Sequence, residues 1–213
     1  MKISRIFKWL KGLSREDWAK NLCLKVLEKM PDEYLVYIEE LKSGIIGHVL
    51  TDFRSIPYRY NFFFNTSVSE RFEKRSEPYF NLKGFVLSNA CEKNIDLSIY
   101  FARGLIAGIS FSAEEKFNLT DLQVDINNVQ KTLIVEQLSQ SFWDEFWKIH
   151  NKYPAINISE IYEVNLDGRC IYHLLDIDDG DFVGYEISKG FVKVCHDDLE
   201  TISNIPNLDE YFL

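Results

Sequence analysis

The chain has 213 residues and a net charge of −9, with 33 Asp and Glu against 24 Lys and Arg. That balance argues against non-specific nucleic-acid binding, which needs a cationic footprint, and suits a basic protein partner, which an acidic surface attracts and steers. Hydrophobic residues at 46% and aromatics at 15% rule out a disordered chain.

Met1 to Leu13, MKISRIFKWLKGL, is basic and amphipathic, with Ile3, Ile6, Phe7, Leu10 and Leu13 at helical spacing. Lys8 and Lys11 break its apolar run, so it fails as a signal-peptide core or a membrane span. The expectation for 1–13 is an N-terminal helix docked on its own domain. No other stretch approaches the ~20 apolar residues that a bilayer requires. Ser14 with Asp17 three residues on reads as a helix N-cap, and Trp18, Leu22, Val26 and Met30 step along one face behind it. Pro31, Asp32 and Glu33 open a second helix, with Tyr34, Leu35, Ile38 and Leu41 as its buried stripe and Ser43-Gly44 as its stop.

Ile45 to Ser55 is ambiguous between strand and loop. Tyr58 to Phe64, YRYNFFF, has high β propensity without clean alternation and reads as a short strand. A polar link, helical or irregular, follows from Ser67 to Pro78. From Phe80 the period is two: Phe85 and Leu87, then Ile95, Leu97, Ile99 and Phe101. Ala102-Arg103-Gly104 turns the chain, and Leu105, Ala107, Ile109 and Phe111 return. Leu122, Val124 and Ile126 supply a further strand. Val135, Leu138, Phe142, Phe146 and Ile149 then predict one long helix over Thr132–His150, ended by Tyr153-Pro154. Asp167-Gly168 joins strands at 161–166 and 169–177. Asp179-Gly180 and Ser188-Lys189-Gly190 punctuate Ile171–Asp198 into a three-stranded antiparallel meander. Asn207 to Leu213 reads as a short capped helix. With no linker and no repeat, the expected architecture is a single α+β domain over 1–213: an N-terminal helix pair, a mainly antiparallel sheet, one long internal helix and a short terminal one.

Cys23, Cys91, Cys170 and Cys195 are widely spaced, form no C-x-x-C pair and read as reduced core thiols of a cytoplasmic protein. A structural zinc site needs close ligand pairs, and none occurs. Asp176-Ile177-Asp178-Asp179-Gly180-Asp181 looks like a calcium loop at first. Counted from Asp176, however, glycine falls at the fifth position where an EF-hand needs it at the sixth, and the twelfth is Ile187, not an acid. These acids read as solvated turn residues. His173 and His196, with Asp176 and Asp197, could converge between adjacent strands for metal or acid–base chemistry. That is the alternative reading, a small hydrolase or metal-dependent enzyme. No H-x-H, H-E-x-x-H, G-x-S-x-G or phosphate-binding glycine loop supports it, and adjacent strand residues such as Cys195 and His196 face opposite sides of a sheet. No catalytic residue, metal ligand or cofactor is therefore assigned.

Two stretches resemble a known family. Met30-Pro31-Asp32-Glu33-Tyr34-Leu35-Val36-Tyr37-Ile38 is similar to the helix opening of the SUKH superfamily, which includes fungal cell-wall regulators and bacterial toxin-immunity proteins. Members commonly continue into Asn-Gly-Gly, where this chain has Lys42-Ser43-Gly44. Asp178-Asp179-Gly180-Asp181-Phe182-Val183-Gly184-Tyr185, followed by Phe191 to Asp197, is similar to the family's acidic turn, strand, return strand and His-Asp ending. Asn207 to Leu213 resembles its final short helix. The resemblance covers about a third of the chain, in the family's order. It implies an α+β fold and a non-enzymatic protein that binds and neutralises a toxin, often a nuclease. The candidate partner-binding residues are Asp176, Asp178, Asp179, Asp181, Tyr185, Asp197 and Asp198. A sheet edge near Lys193 offers a possible homodimer contact.

Overall fold

The Ser14 hydroxyl opens helix α1 (Arg15–Leu27) in the computed structural model. Its Oγ accepts from the Asp17 amide at 3.0 Å and donates to the Asp17 carboxylate at 3.0 Å, so one side chain satisfies an orphan donor and orients the acid beside it. The structure describes residues 13–52, 58–88, 94–113, 119–166, 168–177, 180–196 and 202–212; the helix expected over 1–13 lies outside them but for Leu13. The α+β class is as expected. Within it the chain forms two compact units, residues 1–74 with 79–132, and 75–78 with 133–213.

In the first unit Trp18, Leu22 and Val26 are buried along α1, as their spacing predicts. A 3-10 turn, Asp32–Tyr34, precedes α2 (Leu35–Lys42). Its buried face differs from expectation: Tyr34, Tyr37, Ile38, Glu40 and Leu41 are inside while Leu35 is 52% exposed. Tyr34, Tyr37, Ile38 and Leu41 follow the i, i+3, i+4, i+7 spacing of one helical face, and Leu35, one step round from Tyr34, faces out.

The helices cover a seven-stranded sheet of β1 (Ile46–Asp52), β2 (Arg59–Phe64), β3 (Phe80–Ser88), β4 (Asn94–Ala102), β5 (Leu105–Phe111), β6 (Gln123–Asp125) and β7 (Gln130–Leu133). Its order is β1-β2-β5-β4-β3-β6, with β7 paired to β3. Of the ambiguous stretch after Ile45, Ile46–Asp52 is a strand, and the polar link holds a short helix, α3 (Thr66–Phe72). β2 alternates in burial, with Tyr60 and Phe62 inside and Arg59, Asn61 and Phe63 on the other face, so YRYNFFF fails to alternate in sequence because an outward position carries the exposed Phe63. Arg103 and Gly104, at φ 51° and 75°, make the two-residue turn between Ala102 and Leu105; consecutive positive φ values match the twist of the hairpin.

The second unit places α4 (Gln140–Lys152) on a five-stranded sheet. The strands are β8 (Tyr162–Leu166), β9 (Arg169–Asp176), β10 (Phe182–Glu186), β11 (Gly190–Val194) and β12 (Ile202–Asn204), each pairing antiparallel with the next. The predicted meander is present and extends by one strand at each side. Phe142, Phe146 and Ile149 of α4 pack on Tyr172, Leu174 and Val183, and Phe142 stacks on Tyr172 at 4.0 Å. Ile171, Val192 and Val194 form a separate cluster on the other face. Gly184 is required there, because a Cβ would come within 2.4 Å of the Ile171 side chain.

Three expectations need correction. The helix expected over Thr132–His150 begins only at Gln140: Ser139 caps it, accepting from the Phe142 amide at 3.3 Å. Residues before it pair as β7 or run irregularly, and Val135 is 41% exposed. At 13 residues α4 equals α1 in length. The terminal segment forms a single 3-10 turn, Asp209–Tyr211, with Asn207 Oδ1 accepting from the Asp209 amide at 2.9 Å. Lys193 is not at an edge, because β11 lies between β10 and β12, and Lys193 pairs with Val183 and Ser203.

Candidate functional site

The meander fixes which acids meet. Asp176 at the end of β9 and Val194 at the end of β11 both pair with Phe182 at the start of β10, so these three strand ends share one end of the sheet. Described residues beyond them are tied together. Asp181 Oδ1 accepts from the His196 amide at 2.7 Å and Oδ2 pairs with Lys193 Nζ at 3.4 Å. These contacts, the His196 amide first, hold the Asp181 carboxyl below its ordinary range. The Ile177 amide donates to the Asp181 carbonyl at 2.7 Å and closes the turn. His196 lies against Gly180, whose added Cβ would meet its ring at 3.3 Å. Asp178, Asp179, Asp197 and Asp198 lie outside the described residues.

Asp176 is 72% exposed at its side chain and accepts at 2.8 Å from His173 Nε2. His173 is 2% exposed. Its Nδ1 lies 3.2 Å from the Glu160 carbonyl, and its ring stacks on Tyr162 at 4.5 Å. Of the four residues read as a possible catalytic group, the structure brings together His173 and Asp176. His196 is held instead at Gly180 and Asp181, and Asp197 lies outside the described residues. Both ring nitrogens of His173 are engaged, so the imidazole presents no free nitrogen to a substrate. Among the described residues no group of three or more His, Cys, Asp or Glu is placed to hold a metal ion.

Tyr185 does not join the acids. It sits on the α4 face of the sheet, packed on Phe191 at 5.4 Å. Burial, then the Glu145 charge, raises its phenol. At the opposite end of the sheet, Glu186 accepts from Arg169 at 2.6 and 2.9 Å and pairs with Lys189 at 3.0 Å, cross-linking the β8–β9 and β10–β11 turns.

Charge is divided unevenly along the chain. Residues 75–78 and 133–213 contain 17 Asp and Glu against 6 Lys and Arg, a net −11, while the first unit has 16 against 18, a net +2. The five cations of 133–213 all face carboxylates of their own unit: Lys148–Glu145, Lys152–Asp209, Arg169–Glu186, Lys189–Glu186 and Lys193–Asp181. Surface pairs of this kind contribute little to stability, and Arg169–Glu186 is the most buried of the five, but together they consume the unit's positive charge locally.

In the first unit a cavity of about 260 Å³ lies beside α3 and the β4–β5 turn, lined by Phe64, Ser69, Glu73, Tyr79, Ala102, Arg103 and Leu105. No helix among the described residues is long and apolar enough to cross a membrane. Cys23 is buried and Cys170 and Cys195 half-buried, all three as free thiols, while Cys91 lies outside the described residues. A scan against protein-family models, a search of the curated proteins and a search of the solved structures each returned no match.

Proposed function

We propose that this chain is a non-enzymatic binding protein of the immunity type, which neutralises a basic protein toxin by docking it on the acidic end of the second sheet. The observation that carries the reading is the concentration of charge: the chain's entire net negative charge lies in the second unit, and Asp176, Asp181 and His196, the described residues that border its two acidic runs in sequence, lie at one end of the sheet. A cationic partner would be drawn to that end before contact, and apolar side chains around it would supply most of the affinity. The resemblance of the Asp178–Asp197 region to the SUKH superfamily points the same way. The rival hydrolytic reading has the His173–Asp176 contact in its favour, but a buried ring with both nitrogens occupied favours a positioning task.

The test is a growth-rescue screen. The chain is co-expressed with each member of a library of bacterial toxin domains, nuclease domains and the product of the neighbouring reading frame included. The expected result is neutralisation of a basic toxin by the wild type and its loss in Asp178→Asn/Asp179→Asn/Asp181→Asn. Failure to neutralise any toxin overturns the function; rescue that survives the triple change overturns the surface.

A further inference from the structure

We propose that the cavity between α3 and the β4–β5 turn binds a free α-amino acid with an apolar side chain, its ammonium on Glu73 and its carboxylate on Arg103. Size and charge choose the ligand. At about 260 Å³ the cavity falls below the ~300–1,000 Å³ of pockets that enclose drug-sized ligands, so its occupant is smaller than those. The walls divide by chemistry: Phe64, Tyr79 and Leu105 present rings and an aliphatic chain, while Glu73 and Arg103 bring opposite charges. Arg103 Nη1 and Glu73 Oε1 face each other at 3.5 Å, and 37% and 25% of the two side chains stay exposed, so a solute can reach both. A ligand with one charge would pair with one head and draw it away from the other, which costs most where the heads are partly desolvated. A zwitterion engages both at once. The ammonium and carboxylate of an α-amino acid are borne on a single carbon, a spacing of the same order as the gap between the two heads. The third substituent on that carbon is then left for the apolar wall, where its burial adds affinity without needing a polar partner.

The frame around the two charges is made by the backbone. At the end of α3 the Glu73 amide donates to the Ser69 carbonyl at 2.8 Å, and the next amide, of Lys74, donates to the Arg103 carbonyl at 2.8 Å. The second bond ties the chain that carries the acid to the turn that carries the base. Neither bond uses a charged head, so both heads are positioned before a ligand arrives, which lowers the cost of binding. Arg103 also stands where a turn alone would not put it. Its φ is 51° and that of Gly104 is 75°, and the first position of such a two-residue hairpin turn favours Asn, Asp or Gly. Arginine is held there in the left-handed region against its own preference. What arginine brings and those residues lack is a long side chain ending in a planar guanidinium, matched in shape to a carboxylate.

The inference stands on the first unit's own geometry, whatever the second unit binds. The test is isothermal titration calorimetry of the full chain with L-leucine and L-phenylalanine, each beside its N-acetyl form, which keeps only the carboxylate, and its amide, which keeps only the ammonium. The expected result is that at least one of the free amino acids binds with a Kd below ~1 mM and that both of its blocked forms bind at least about tenfold more weakly. In ¹⁵N–¹H spectra the bound amino acid shifts the Ala102, Arg103 and Leu105 amides. Arg103→Asn and Glu73→Gln each abolish binding. Asparagine suits the turn, so Arg103→Asn melts at or above the wild-type temperature and its loss of binding is not a loss of fold. Absence of binding by both amino acids at about ten times that concentration, blocked forms that bind as well as the free ones, or an Arg103→Asn chain that binds like the wild type would each overturn the site.

Discussion

Glu40 shows how one residue can set the pH dependence of the first unit. It is fully buried on α2; Oε1 accepts from the Ile106 amide at 2.9 Å, and Oε2 has no partner. Burial, opposed by that amide, pushes the carboxyl from an ordinary 4.5 up to about 8. Its neighbour Cys23 is raised as well, by burial first and the Glu40 charge second. Below pH 4.5 the carboxyl is protonated folded or unfolded, and its contribution is fully present. Between 4.5 and 8 the unfolded chain ionises and the folded one does not, so stability falls as pH rises, by on the order of 5 kcal/mol across the window. Glu40→Gln keeps an acceptor for Ile106 and cannot ionise. Thermal melts from pH 5 to 8 should show a flatter profile for the variant and a higher melting point at pH 8; an unchanged slope would contradict this account. Nothing in the sequence marks Glu40, because it stands in a charged run, Glu39-Glu40-Leu41-Lys42, as solvent-face residues do. His173 and Asp176 were grouped with His196 and Asp197 as residues that adjacent strands could bring together; the contact that forms joins two residues of β9 itself, which strand alternation does not announce.

At the scale of elements, α4 separates what pattern reveals from what it conceals. Val135, Leu138 and Phe142 keep helical spacing, but Leu133, Ile134 and Val135 are a β-prone run, and Ser139 offers a cap that starts the helix later. Ser139→Ala should therefore cost ~1 kcal/mol in denaturant unfolding, whereas Val135→Ser, on an exposed non-helical residue, should stay within ~0.5 kcal/mol. A helix that began at Thr132 would reverse that order. Phe142 lies under this helix, fully buried and stacked on Tyr172, and Phe142→Ala should cost ~3–5 kcal/mol. The β4–β5 and β8–β9–β10–β11 hairpins were legible because glycine at each turn and alternation on each arm agree. β12 was not, being three residues long with too short a pattern to register.

For the whole molecule, the α+β class follows from the switch between 3.6- and 2-residue periods, and the sequence carries it openly. The division into two units is hidden, because the chain crosses between them without a linker: residues 75–78 belong with the second unit, held by Asn157, and no low-complexity stretch marks 132–133. The same averaging conceals the charge. A net −9 describes neither unit; +2 and −11 describe the two. If the −11 unit docks a cationic toxin, association should be driven by charge at the end of its sheet. The measurement that tests this most directly is the association rate of the chain with the toxin it neutralises, followed by stopped flow at low and near-physiological salt, for the wild type and for Asp178→Asn/Asp179→Asn/Asp181→Asn. Asparagine at 181 preserves the acceptor for the His196 amide, so the variant changes charge and keeps the turn. The account predicts a wild-type rate that falls steeply with salt, and a variant about tenfold slower at low salt with a shallower slope. Equal rates and equal slopes would contradict it.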